Sequence, residues 1–342
     1  ALQNAPPGRF SVPPHLNALP NMKGDGVAKS DQTAMPTPSA PLSRQDGRSP
    51  WKRRYRKYVV PWMFALPILI INIIVVIGPS LSAVYYSLTD WSGIGAGEFI
   101  GLENYRKILF SDMDYRRAFL NNLAWLAFFL TVPFAVSLFA ASMLARIRRG
   151  SMFFRTALFI PYVLPAVITA SIWRNLLSPT LGIGALLADW GIPGLDVAWL
   201  GRPQTALISI AFVDNWHFWG FLMVLFLSAM QGIPPELYEA ARIDGASRWQ
   251  EFRHITVPGI RPTIVFMLLM VAIWSFLVFD YVWILTQGGP AGSSEVLGTL
   301  VYKEAFMRFE AGYASAIGLT MSLLAGVVIS LFLYLRRRGW EI

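Results

Sequence analysis

Asp214, His217, Asp280 and Arg174 are ionisable side chains set inside long apolar stretches of the chain. Such groups are costly in lipid, so each is expected to face an interior or a cavity. Around them stand Asn175, Asn215, Trp216, Trp219, Phe279, Tyr281 and Trp283. Rings beside amides and carboxylates suit a sugar, whose C–H face packs on an aromatic while its hydroxyls need donors and acceptors. Taken singly, each has a plainer reading: a Trp or Tyr anchors a helix at the membrane surface, and Asp280 suits a helix cap or an interhelical pair. The substrate path expected from these residues is Arg174, Asn175, Asn215, Trp216, His217, Trp219, Phe279, Asp280 and Trp283. Arg174 and His217 leave an anionic sugar open, such as a uronate oligosaccharide, because a cation there offsets substrate charge.

Reactive chemistry is missing. The chain has no GxxxxGK[ST] loop to cradle ATP phosphates. No nucleophile–base pair or carboxylate couple stands out, so no catalytic residue is expected. Cysteine is absent, which excludes disulfides and thiolate chemistry. His15, His217 and His254 lack metal-ligand spacing, so neither a metal site nor a cofactor site is expected in this chain. If the protein does work, the energy comes from a separate chain or an ion gradient.

The elements that must position these groups are membrane helices. Of 342 residues, 55% are hydrophobic and 14% charged, and the mean hydropathy is +0.47. That is the composition of a polytopic membrane protein. The net charge of +9 sits at the ends of apolar segments, as membrane orientation requires, so nucleic acid is not expected as a partner. Spans long enough to cross a bilayer lie at about 59–81, 120–144, 154–177, 204–230, 262–285 and 313–335. The fold expected is an all-α membrane protein with six transmembrane helices. Residues 1–50, rich in Pro, Ser and Gly, are expected to be a disordered tail before a transmembrane domain at 51–342. The basic run Lys52–Lys57, the arginines Arg146 to Arg155, the loop at 231–260 and Arg336–Arg338 all fall on one side, which is read as cytoplasmic along with both termini.

The loop at 231–260 is a polar helical insert between two apolar spans. Pro234-Pro235 suit a helix start and Glu236 adds a carboxylate there. Gly245 ends that helix, Ser247 with Gln250 forms a capping box for a second, and Pro258 stops it.

Glu239-Ala240-Ala241, Gly245, Ile255, Val257 and Pro258 resemble the EAA motif, EAA-x3-G-x9-I-x-LP, of membrane subunits of binding-protein-dependent ABC importers. Val257 replaces the usual Leu and keeps an apolar contact. The runs Tyr85–Trp91 and Phe99–Tyr105, with Pro161–Pro165 and Trp173-Arg174, look like maltose-type sugar permeases. Leu285-Thr286-Gln287-Gly288-Gly289-Pro290, followed by Tyr302 and Phe306, is similar to the MalF-like half of such pairs. The resemblance covers roughly residues 59–338. It implies a type I ABC importer permease fold in a bacterial or archaeal plasma membrane, and import of a carbohydrate, with an oligosaccharide favoured. It also implies a second homologous permease subunit, two ATPase subunits that bind ATP and Mg, and an extracytoplasmic solute-binding protein. Glu239, Ala240, Ala241, Asp244 and Gly245 would then dock the ATPase subunit as a coupling helix. A permease for a phosphorylated polyol is an alternative in the same class, and an ion-driven secondary transporter using Asp214 and Asp280 is one outside it.

Overall fold

The computed structural model describes Trp51 and residues 55–337, apart from Arg148, Pro193 and Leu195. The tail expected to be disordered at residues 1–50 lies outside the described residues. So do residues 52–54 of the basic run and residues 338–342.

Two units divide the chain, residues 1–65 and 66–342. A π-helical turn at Tyr55–Val59 opens α1 (Val60–Asn72), which begins in the first unit and runs on into the second. A second such turn, Ile73–Ile77, precedes α2 (Gly78–Tyr86) there. The run Lys57–Tyr86 has a hydropathy of 2.6, with 0% of its apolar window buried. A helix apolar on every side and uncovered by its own chain belongs in lipid or against a partner.

The second unit continues with α3 (Glu103–Phe110), α4 (Met113–Leu144), α5 (Ser151–Val163), α6 (Ala166–Leu176), α7 (Ile183–Asp189) and α8 (Ala206–Met230). After them come α9 (Pro235–Ile243), α10 (Arg248–Glu251), α11 (Val257–Gly259) and α12 (Arg261–Phe276). The chain closes with α13 (Asp280–Thr286), α14 (Leu297–Tyr302) and α15 (Ala311–Arg337). Among the described residues, β-pairing is limited to one isolated bridge, Thr89 with Phe99.

Four helical runs are long and apolar enough to cross a membrane, or up to 6 if each of two bent pairs, Ser151–Val163 with Ala166–Leu176 and Arg248–Gly259 with Arg261–Phe276, is one span. The spans expected at 154–177 and 262–285 are both interrupted, the first at Pro165, a proline the sequence already sets inside that span. Between α5 and α6 the axis turns by 96°. Pro165 has no N–H to continue the ladder, and it pushes Leu164 into an extended conformation, φ −72° and ψ 136°. The second interruption leaves residues 277–279 outside α12 and α13. Asn122, wholly buried on α4, repairs it: its Nδ2 donates to Ser275 O and its Oδ1 accepts from Leu297 N, each at 2.8 Å. Irregular backbone at membrane depth needs such replacement partners.

The core lies between α4 and α8. Trp125 stacks on Phe129 at 5.3 Å, Phe129 meets Phe218 at 6.0 Å, and Phe134 meets Phe226 edge-on at 5.1 Å. Leu222, Met223 and Phe226 are fully buried. Gly220 lets α8 press on α5, where a Cβ would collide with the Leu158 carbonyl.

A polar cap closes the end of the bundle where α4 begins. Asn104 donates to the carbonyls of Ser87 and Thr89, both at 2.9 Å, and Asn121 donates to those of Ser293 and Glu295 at 3.0 and 2.7 Å. Glu304 is buried there and accepts from Arg308. Burial pushes the Glu304 carboxyl above its ordinary range, against the pull of the Arg308 guanidinium.

Candidate functional site

The insert after α8 folds as an exposed knuckle. Pro234 precedes α9 and Pro235 occupies its first position, where a missing N–H is no loss. The helix ends in a Schellman motif: Ala246 N donates to Ala241 O at 2.9 Å and Gly245 N to Arg242 O at 3.1 Å. Gly245 carries the left-handed φ of +79° that this motif requires, and a Cβ there would meet nothing within 4 Å. The chain then restarts through the capping box of α10, in which Ser247 N donates to Gln250 Oε1 at 2.7 Å and Gln250 N to Ser247 Oγ at 3.4 Å. Pro258 does not stop the second helical segment. A π-helical turn at Phe252–Thr256 comes first, Pro258 falls in the opening turn of α11, and the helix ends at Gly259.

Glu239, Ala240, Asp244 and Gly245 are exposed along this knuckle, and Ala241 is half-buried. Two large apolar side chains stand out beside them, Ile243 at 87% and Trp249 at 66% exposure. One residue the sequence did not single out holds the knuckle in place. Glu251 has a buried carboxylate that accepts from Arg242 Nε at 3.0 Å and lies 3.4 Å from Arg146 Nη2, just beyond α4. Tyr238 also bridges the two segments through Thr256 Oγ1 at 3.0 Å. Arg242 and Glu251 are nine residues apart, outside any helical spacing, so nothing local in the sequence pairs them.

A cavity of ≈ 270 Å³ lies among α4, α5, α8 and α12. Of the residues expected on the substrate path, His217, Phe279 and Asp280 line it together, and Asp214 and Tyr281 join them. Trp125, Tyr162, Trp274 and Ser275, none of them foreseen, complete much of the wall. Both broken spans bring their irregular backbone here, since Tyr162 and Ala166 flank one break and Leu277, Val278 and Phe279 form the other. His217 Nε2 donates to the Leu164 carbonyl freed at the first break, at 3.2 Å. The Tyr281 hydroxyl is buried and has no hydrogen-bond partner.

The remaining expected residues lie elsewhere. Arg174 donates to Ile284 O, one of the orphan carbonyls that end α13. Asn175 donates to Ser171 O at 3.1 Å, and Asn215 is buried with Oδ1 unpaired. Trp216 packs on Trp173 at 5.6 Å, Trp283 stacks on Phe279 at 5.7 Å, and Trp219 packs against the apolar core. Among the described residues no His/Cys/Asp/Glu group is arranged to hold a metal.

Comparison with known proteins gives this geometry a context. Residues 134–339 match the family model described as "Binding-protein-dependent transport system inner membrane component". The chain is 34% identical over 283 residues to the diacetylchitobiose uptake system permease protein NgcF of Streptomyces coelicolor, covering 79% of this chain and 80% of the relative. It is 31% identical over 294 residues to the trehalose/maltose transport system permease protein MalF of Thermococcus litoralis, covering 82% and 93%. Among solved structures, a chain of a bacterial ABC transporter that imports the acidic polysaccharide alginate superposes with a TM-score of 0.74 at 26% identity, covering 85% of this chain and 99% of the other.

Proposed function

The chain belongs to the binding-protein-dependent transport system inner membrane component family, and from that premise we propose that it is the permease subunit of an ATP-driven carbohydrate importer, with an oligosaccharide as cargo. The observation that carries the proposal is the knuckle. Glu239, Ala240 and Gly245 are displayed on a rigidly capped, exposed turn with Ile243 and Trp249 beside them. Exposed apolar side chains on a polar, well-ordered connector mark a surface that a protein partner covers. No ATP-cradling loop exists in the chain, so the partner is an ATPase subunit, which holds ATP and Mg. Glu239 offers it a carboxylate, the small Ala240 and Ala241 permit close approach, and Asp244 and Gly245 set the bend. A second permease subunit covers the apolar surface that this chain leaves open, and an extracytoplasmic binding protein delivers the sugar. The relatives named for diacetylchitobiose and for trehalose/maltose, and the neighbour named for alginate, support a carbohydrate cargo.

The cargo passes through the cavity. Its rings, Trp125, Tyr162 and Trp274, stack on sugar C–H faces, while Asp214, Asp280 and Tyr281 meet hydroxyls.

The docking reading is tested by expressing the tagged chain with its partner subunits and measuring Mg-ATP hydrolysis in the purified assembly. Wild type carries the ATPase, and Glu239→Lys loses most of it. Reversing a charge at a desolvated contact costs about 2–5 kcal/mol, so a drop of about 30-fold or more is expected. Equal hydrolysis recovered with both chains would refute Glu239 as a docking residue, and none with wild type would refute the importer.

A further inference from the structure

We infer that Asp214 and Asp280 make this permease reject acidic sugars: its cavity takes glycans that carry no carboxylate. The inference rests on the proposal that sugar passes through this cavity, and it names the cargo class.

The charge balance of the wall carries the argument. The ionisable side chains lining the cavity are Asp214, Asp280, His217, Tyr162 and Tyr281, with no lysine or arginine. None of the ion pairs among the described residues involves either aspartate. Arg174, the cation expected to serve an anionic cargo, donates to the Ile284 carbonyl and does not line the space. Two carboxyls, Asp280 exposed and Asp214 half-buried, therefore stand against at most one imidazolium in a space walled by rings. A uronate placed here brings a like charge with nothing to offset it, and like-charge contact is the usual device by which a site rejects a near-isosteric competitor. A neutral sugar instead supplies hydroxyl donors to both carboxylates. Tyr281, whose buried hydroxyl has no hydrogen-bond partner within the chain, offers such a sugar a further polar group. The alginate importer shares the fold at 26% identity, and a shared fold does not fix the sign of the cargo.

The test uses the purified assembly with its partner subunits and matched probes: maltotriose and cellotriose, each against its C6-carboxylated counterpart. Binding is measured by calorimetry. For wild type, the neutral member of a pair should bind at least about tenfold more tightly, a difference of about 1.4 kcal/mol. In Asp280→Asn, and further in Asp214→Asn with Asp280→Asn, that ratio should shrink by about tenfold or more. The single variant at the more exposed aspartate guards against a double variant that fails to assemble. Equal binding of neutral and carboxylated probes by wild type, or a ratio that no variant changes, would overturn the inference and leave the sugar path standing. No binding of any probe would remove the sugar path itself, and this inference with it.

Discussion

Gly245 is the sharpest place to ask whether the knuckle transmits force. Its φ of +79° is a left-handed value, and a Cβ there would meet nothing within 4 Å. Crowding therefore plays no part, and substitutions are ranked by backbone conformation alone. Asn tolerates the left-handed region and should stay close to wild type. Ala pays the ordinary left-handed penalty of about 1–2 kcal/mol, enough to populate other knuckle geometries without abolishing the native one. Pro forbids the native conformation, because its ring locks φ near −65° and it removes the N–H that donates to Arg242 O at 3.1 Å. That costs about 3 kcal/mol or more and swings α10 away from α9. With about 1.4 kcal/mol per factor of ten, sugar moved per ATP hydrolysed should fall by less than about threefold for Asn, about five- to thirtyfold for Ala, and beyond detection for Pro. The assay is uptake in proteoliposomes holding the full assembly, its binding protein and internal ATP, with hydrolysis followed in the same vesicles. Coupling in Gly245→Pro equal to wild type, or Asn falling below Ala, would refute the reasoning.

Other sites give independent checks. Asn122→Leu strands the Ser275 carbonyl and the Leu297 N–H, both in buried residues, so it should cost about 2–6 kcal/mol and lower the melting temperature in detergent by several degrees. An unchanged melting curve would show that the break at 277–279 is held by something else. At the polar cap, the Glu304 carboxyl has a folded pKa raised above its ordinary 4.5, first by burial. Its favourable contribution is complete below 4.5 and is lost as pH rises through the raised folded value. Thermal stability should therefore fall as pH climbs out of the carboxylate range, and Glu304→Gln should flatten that slope. Identical slopes would remove Glu304 as the titrating group.

What was legible in the sequence is what local spacing encodes. Ser247 and Gln250 lie three residues apart, Gly245 follows a short polar helix, and the structure places a capping box and a Schellman motif there. The apolar lengths at 204–230 and 313–335 appear as helices at 206–230 and 311–337. Pro165 announced a break in its span, yet its angle of 96° depends on packing that no local pattern states. The break at 277–279 carries neither proline nor glycine. The Ser275 carbonyl beside it is met by Asn122, whose partners lie 153 and 175 positions away. The cavity wall was half visible. Charges inside apolar runs drew attention to Asp214 and Asp280, whereas Trp125 and Trp274 resembled ordinary core aromatics until three helices brought them together. Arg174 looked like a ligand for an anion because its type and place fit. The orphan carbonyl it satisfies belongs to a helix end that sequence spacing did not reveal.

The knuckle and the cavity are joined by construction. α8 places Asp214, His217 and Phe218 on the cavity wall and ends at Met230, four residues before Pro234 opens the knuckle. From Asp214 to Met230 a helix rises about 24 Å. α12 starts at Arg261, directly after the knuckle, and brings Trp274 and Ser275 to the opposite part of the wall. The knuckle is therefore the short connector between two stiff arms whose far ends grip one space. Glu251 anchors that connector to the end of α4 through Arg146, and α4 supplies Trp125 and Phe129 to the same wall. A displacement of the knuckle would reach the cavity directly along α8 and α12, and along α4 through the Arg146–Glu251 ion pair. The arms need somewhere to yield, and the two helix breaks supply it, because both lie at the cavity rather than along the arms. On the proposed function, two arrangements of those breaks separated by a few kcal/mol would let an ATPase at one end and a sugar at the other bias each other.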